Sequence, residues 1–425
     1  MQVRELSLDR SVSNKLQTYD IAVQRGDYEL YTGNLHGKYD NVRVYWEDQL
    51  TRLVLRPFLS ALMQRKHQAL EQVRILDLGC GTGQGYELLT QIDQRDLDLG
   101  LFHQRVMSKQ DVACYLGLDL SAGMVERGNA LYADDPKAHF VQGDLCEGLG
   151  AVAEEPSFDI YYSAYGSLSH LDTPDLKALL VEIVQHARPG SLIVLDLLGR
   201  YSLEWPCYWE AQADAAKYRE YSMSYLSPNA KNGEIEHFPI RYWTGSEIEQ
   251  TVAAVQAESG VGVAVRCKYD RSILVGRHID TGEYNPQLKP IRRVVNRLHQ
   301  DYMRTNPQSL IFDPALLAPH PDRAAARFFT ELVFSWNKLI HFFEQRVQHK
   351  LSLVAIEGWE NFSAPLQFAL MTVDRVINST EWMWYGDPRA NVIEPQLGYA
   401  LRSLEHSLQR GLGCGHGLLV VLEVK

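Results

Sequence analysis

The chain has 425 residues, 45% of them hydrophobic, and a formal net charge of −11. That is enough apolar material for a packed core, at a length that allows two or three domains. The acidic balance speaks against a broad polyanion-binding surface, so no nucleic-acid partner is expected. No apolar run approaches the roughly 18 residues of a membrane span, and Met1–Leu6 lacks the apolar core of a secretion signal, so no membrane partner is expected either. The six cysteines stand at 80, 114, 146, 207, 267 and 414 with no C-x-x-C pair. That is neither a zinc nor a disulfide framework, and it points to a cytoplasmic, reducing compartment. No His, Cys and carboxylate cluster has metal-ligand spacing, so no metal is expected.

Residues 1–73 carry Leu50, Leu53, Leu55, Leu59 and Leu62 at helical periodicity, with aromatics from Tyr19 to Trp46. They are expected to form a helical cap. Arg74–Leu78 is a short apolar run that reads as a buried parallel strand. It contains Asp77 and is followed by Gly79, Gly81 and Gly83, which permit a tight turn and close backbone approach to a ligand. A dinucleotide fingerprint wants G-x-G-x-x-G with its ribose acid about 20 residues later, so the spacing here is wrong for that. The charged run Asp93–Asp98 reads as a solvated loop or short helix. Tyr115–Asp119 is a second strand ending in an acid placed to accept both ribose hydroxyls of a nucleoside, and Ser121 is a candidate N-cap. His139–Leu145 and Phe158–Ser163 are a third and fourth strand, with Asp144 closing the third. Arg188–Ser191 is a turn before the fifth strand, Leu192–Leu197.

After strand five, residues 200–245 are rich in aromatics and read as an insertion over the site. Within it, 228–233 is a turn, His237–Trp243 a strand, and Thr244 the cap of a helix. Val261–Cys267 is a sixth strand, and Ser272–Arg277 offers it an antiparallel partner. Helices are expected around Arg292–His299, Ala324–Gln348 and Pro395–Arg410. The glycine-rich run Gly411–Gly417 then leads into a final strand, 418–424. These boundaries give a cap over 1–73, a core over 74–285, a helical insertion over 286–410 and a returning strand in 411–425. An independent C-terminal domain is the rival. Strands alternating with helices make this an α/β protein with a doubly wound, mostly parallel seven-stranded sheet, whose ligands bind at the strands' carboxyl ends.

The run Asp77-Leu78-Gly79-Cys80-Gly81-Thr82-Gly83 resembles the first motif of the class I S-adenosylmethionine (SAM) methyltransferases, whose fold is Rossmann-like. Tyr31-Thr32-Gly33, Arg43–Trp46 and Ser163–Leu171 resemble segments of the small-molecule N-methyltransferases of the glycine and sarcosine type. Ser167 follows Gly166 directly here, so the asparagine of that family's G-N-S pattern is missing or replaced by Tyr165. The resemblance covers about residues 20–285 and implies SAM as cofactor. It would be held by Tyr31, Arg43, Asp77, Gly79, Cys80, Gly81, Gly83, Asp119, Leu120, Met124, Asp144, Leu145, Ser163 and Ala164. Asp77 would orient the methionine amino end, Arg43 its carboxylate, and Asp144 with Leu145 the adenine edge. His170 is the candidate base, with Tyr165 beside it. His237, Arg241 and Tyr242 are candidates for the acceptor pocket. Each has a plainer reading: Asp77 and Asp144 as caps, Arg43 as a surface arginine, His170 as a structural histidine, the aromatics as core.

The expectation is a SAM-dependent methyltransferase acting on nitrogen or oxygen of a small-molecule substrate, with a homodimer left open. The rivals are a SAM-using enzyme that transfers aminocarboxypropyl or cyclises SAM, a SAM-binding regulator without catalysis, and a nucleotide-dependent oxidoreductase.

Overall fold

The computed structural model describes residues 35, 38–95, 100–209, 218–225, 237–317, 320–349, 356–380 and 386–425. Tyr31 and the 228–233 turn lie outside them. Helix α1 (Asp48–Ala69) leads into strand β1 (Val73–Leu78). Then follow α2 (Gln84–Thr90), β2 (Val112–Asp119), α3 (Ala122–Leu131), β3 (Ala138–Gln142), β4 (Ile160–Tyr162), α4 (Thr173–His186) and β5 (Leu192–Gly199). A small ribbon of β6 (Arg219–Ser222) and β7 (His237–Ile240) comes next, then β8 (Tyr242–Trp243), α5 (Gly245–Ser259) and β9 (Val263–Arg271). Helices α6 (Ile291–Leu298), α7 (Arg323–His349), α8 (Ala364–Thr380) and α9 (Glu394–Leu408) precede β10 (Gly417–Val424).

The main sheet runs β3-β2-β1-β4-β5-β10-β9, with β8 added to β5. Strands β1 to β5 are parallel. Strand β10 is antiparallel to both of its neighbours, β5 and β9. Alternate strand residues feed two cores, as the pleat requires. Ile75, Tyr115, Tyr162, Val194 and Val421 face one side, Leu76, Leu116, Tyr161, Ile193 and Val420 the other. The second side is covered by α4 and α5. Asp172 caps α4 by accepting from Asp175 N, and Thr244 with Glu247 forms the capping box of α5.

Three expectations about strands need correction. Ser272–Arg277 forms no strand, because β9 finds its antiparallel partner in β10. The sixth strand extends to Arg271 instead of ending at Cys267. The single strand over His237–Trp243 is two, broken at Arg241, whose backbone N–H is drawn to Ser169 O at 2.7 Å. The helical stretch also holds one helix more than expected, α8.

The helices between β9 and β10 share the first core with the sheet: Leu332, Leu370 and Leu401 belong to the same apolar cluster as Ile75 and Val421. Two hydrogen bonds and an aromatic contact fasten them to the segment before α1. Asn296 Oδ1 accepts from Val42 N at 2.7 Å, Arg402 donates to Tyr45 O at 2.6 Å, and Trp46 packs against Trp336 at 6.1 Å between ring centroids. Among the described residues no helix is long and apolar enough to cross a membrane.

The glycine-rich turn before β10 is held by one buried acid. Asp270 accepts from Leu412 N at 2.8 Å, Gly413 N at 2.7 Å and Cys414 N at 3.0 Å. The turn lies directly on the end of β5: a Cβ on Gly199 would overlap the carbonyl oxygens of Gly413 and Gly415. Gly199→Ala is therefore expected to cost on the order of 1–3 kcal/mol, the usual penalty of overpacking. Thermal unfolding of the variant checks this, and a wild-type midpoint would show that the turn yields.

Candidate active site

A cavity opens at the carboxyl edge of the sheet. Asp77 from β1, Asp119 from β2, Asp144 after β3, Tyr165 after β4 and Asp196 from β5 all line it. Because β10 is antiparallel, its first residue, Gly417, and the preceding His416 reach the same edge.

The glycine loop is bent by backbone bonds. Gly79 N and Cys80 N both donate to Leu118 O, at 2.8 and 3.1 Å. Gly79, Gly81 and Gly83 take φ of +71°, +54° and +95°, the left-handed region that other residues avoid. Their side-chain-free faces serve different ends. A Cβ on Gly79 would come within 2.6 Å of Ser167 Cβ, whose hydroxyl bonds Gly79 O at 2.9 Å. A Cβ on Gly81 would meet only Gln84, at 3.6 Å, on the cavity side. Gly83 does not line the cavity. A Cβ there would press on Phe140 and Tyr132, so packing demands this glycine.

Asp119 accepts from Gly81 N at 2.8 Å and Ser121 N at 3.0 Å, joining the loop to the tip of β2. Asp144 caps a short turn by accepting from Cys146 N at 2.9 Å while lining the cavity. Cys80, Leu120, Met124, Leu145 and Ala164 also line it. Asp77 is buried, and its Oδ2 accepts from Tyr115 OH at 2.5 Å. Its Oδ1 has no hydrogen-bond partner. Burial, above all, raises its pKa to about 7, against the Tyr115 bond and with help from Asp119.

Arg43 is buried instead of superficial. Its guanidinium bonds Asp48 at 2.8 Å and lies 3.4 Å from the centroid of the Tyr165 ring, whose hydroxyl donates to Asp48 at 3.2 Å. Tyr165 has φ of +58°, held by its N–H on Asp196 Oδ2 at 2.7 Å. Burial pushes the Tyr165 phenol well above its ordinary pKa, which suits it poorly to act as a base. His170 lines the cavity with its ring 5.1 Å from that of Phe238.

Besides Gly83, four expected residues lie off the cavity wall. Ser163 is fully buried behind it, its N–H on Val194 O. His237 is exposed beside Glu220, because alternation along β7 turns Phe238 and Ile240 inward instead. Arg241 is buried against Glu247 at 2.8 Å and anchors the start of α5. Tyr242 packs into a satellite aromatic core with Trp205 and Tyr208.

Several cavity residues escaped the sequence reading. Tyr221, Met223 and Tyr225 come from or just beyond β6. Arg271 bonds Asp196 Oδ2 at 2.6 Å. Glu47 binds Arg277 at 3.0 Å and Arg292 at 2.7 Å. Burial would raise the Glu47 pKa, but Arg277 and Arg292 hold it well below the usual carboxylate range. An acid inside the apolar run of β5 was the one signal available for Asp196. Among the described residues no group of three or more His, Cys, Asp and Glu has metal-site geometry.

Residues 100–190 match the family model described as a methyltransferase domain. The chain is 36% identical over 139 residues to the trans-aconitate 2-methyltransferase of Deinococcus radiodurans, a match that spans 33% of this chain and 42% of that protein. Residues 100–190 thus carry a methyltransferase domain, over less than half of the chain. Among solved structures the chain is similar to a SAM-dependent methyltransferase from Clostridium acetobutylicum, at TM-score 0.33 and 17% identity, covering 51% of this chain and 83% of that one. It is also similar to the DhpI complex with SAM and HEP, at TM-score 0.37 and 14% identity, covering 61% and 94%. The cavity fits SAM on the chain's own residues: the unpartnered Asp77 oxygen at its wall suits an ammonium, and the space above Gly81 is one that a Cβ would enter.

Asp119→Ala should weaken binding of S-adenosylhomocysteine by about 1–3 kcal/mol through lost charge-assisted bonds; calorimetry measures this, and unchanged affinity removes Asp119 from the site. For Asp77, the folded pKa of about 7 lies above the unfolded value of about 3.9. The folded apo-protein then holds this proton more tightly, so stability falls as pH rises through that window and levels off above it. Asp77→Asn removes the slope. Denaturant unfolding at pH 5 and pH 8 should show the variant gaining on the wild type at the higher pH, and a pH-independent difference would contradict the assignment.

Proposed function

We propose that the protein transfers a methyl group from SAM to nitrogen or oxygen of a small molecule. The observation that carries this is the continuity of the cavity. It runs from the strand-tip acids past Tyr165 into a compartment walled by Tyr221, Met223, Tyr225, Phe238 and Ile240. Tyr221 and Phe238 are buried, so this compartment suits a metabolite better than a protein surface or a duplex. The resemblance of the Arg43 and Ser167–Leu171 segments to glycine- and sarcosine-type enzymes supports a small acceptor. The name of the Deinococcus radiodurans relative does too.

SAM, when bound, supplies an activated methyl on a sulfonium. The chain's own residues bind, orient and exclude water. Asp119 and the loop amides would hold the nucleoside end, Asp77 and Arg43 the amino-acid end, and Asp144 with Leu145 the base. Tyr165, pinned by Asp196, Asp48 and Arg43, would keep the reacting centre rigid. Aligned reacting atoms in a closed site account for much of the rate in such transfers.

The test is product analysis with methyl-labelled SAM and a panel of small amines, alcohols and phenols. S-adenosylhomocysteine with label on the acceptor is the expected outcome. Methylthioadenosine as the product would assign aminocarboxypropyl transfer instead and overturn the proposal.

A further inference from the structure

His416 is set in the glycine-rich turn that precedes β10. In the fold it stands on the cavity wall at the edge of β5, where its carbonyl accepts from Gly199 N at 3.1 Å and its N–H bonds Ser272 O at 3.2 Å. Its Nδ1 lies 2.8 Å from Glu204 Oε2. Glu204 is fully buried and off the cavity wall. Its carboxylate also accepts from Ser202 Oγ at 3.1 Å and from the backbone N–H of His278. The room for this carboxylate is provided by Gly276, where any Cβ would collide with it.

We propose that His416 is the general base for the acceptor, with Glu204 as the residue that positions it. The proposal rests on the methyl-transfer reading above and deepens it. Glu204 is held below the ordinary carboxylate range: burial would raise its pKa, but His416 and the His278 N–H outweigh that. An ionised carboxylate only accepts, so Nδ1 must carry the hydrogen. In the neutral ring that fixes the tautomer and leaves the Nε2 lone pair as the edge turned from Glu204, on a ring that lines the cavity. A carboxylate behind Nδ1 also steadies the imidazolium once it forms, as in other His–carboxylate pairs. The neighbours constrain the ring further: Trp205 lies 5.5 Å and His278 6.3 Å away between centroids.

The step balances with the groups present. The acceptor's O–H or N–H bond breaks toward His416 Nε2. The acceptor's electron pair makes the bond to the methyl carbon, and the electrons of the broken C–S bond stay on sulfur. The products are S-adenosylhomocysteine, the methylated acceptor and an imidazolium paired with Glu204, which returns the proton to water. The substrate class this implies is one whose nucleophile arrives protonated, a hydroxyl or an ammonium. An acceptor that is already an anion has no use for the base.

The first test needs no acceptor. Long-range ¹H–¹⁵N correlation on histidine-labelled protein saturated with S-adenosylhomocysteine, with His416→Gln to assign the signal, should show Nδ1 protonated and Nε2 bare; the opposite tautomer overturns the proposal. The second uses the same panel of amines, alcohols and phenols. His416→Gln should lower kcat by about 10²–10⁴-fold, the usual worth of a general base, with KM and S-adenosylhomocysteine affinity kept. Imidazole in the buffer should restore part of the rate to His416→Ala, which a merely structural role would not allow. A folded His416→Gln enzyme that turns over at the wild-type rate, or a loss confined to His170→Gln, overturns the base alone. Wild-type protein that binds no S-adenosylhomocysteine overturns the methyl-transfer reading, and the base with it.

Discussion

The architecture depends on β10 lying between β5 and β9. An antiparallel strand in that slot has both edges bonded and both faces buried, so it must be apolar almost throughout, and Gly417–Val424 is. Without it, β5 and β9 would each present an unpaired edge. Its direction matters as much as its place. The parallel strands deliver their last residues to the ligand edge, while β10 delivers its first. The turn that precedes it is thereby carried to the cavity, and the helices from α6 to α9 are drawn back over the sheet to share its core.

The cavity wall is correspondingly built from distant parts of the chain. Asp40 and Glu47 reach Arg292 on α6, Glu47 reaches Arg277, and Asp196 reaches Arg271. Such buried pairs are weak evidence for net stability, since desolvation offsets their attraction, but removing one partner leaves a stranded charge and costs about 3–5 kcal/mol. Their effect is geometric. They set the segment before α1, the turn after β9 and the helical block at fixed distances from the glycine loop. Tyr165 sits in the middle of this arrangement, in a backbone conformation that few side chains adopt, because Asp196 holds its amide and Arg43 and Asp48 hold its ring end.

Local chemistry explains which features could be read from the sequence. Asp77, Asp119 and Asp144 follow short apolar runs at strand ends, and the alternating glycines mark a turn whatever surrounds them, so the core sheet and its loop were visible. The final strand was visible for the same reason. The acceptor side was not. The choice between His237 and Phe238 is one of register, and a one-residue shift in a strand exchanges its faces. Arg241 and Tyr242 have the residue types of a pocket but are absorbed by Glu247 and by the Trp205 cluster. Glu204 and His416 are 212 positions apart, and nothing local in either segment announces the other. Ser272–Arg277 looked like a strand because its apolar residues are core residues; its backbone groups are satisfied in part by Glu405 of α9 instead of by a ladder.

The strand-tip acids and the glycine loop assign a SAM-derived nucleoside to the carboxyl edge of this sheet. A crystal structure of the protein with S-adenosylhomocysteine tests this assignment most directly. The assignment requires the ribose at Asp119, the adenine beside Asp144 and Leu145, and the sulfur directed toward Tyr165 and the aromatic compartment. Density for the ligand at any other place, or a cavity still empty in crystals grown at saturating ligand, would contradict it.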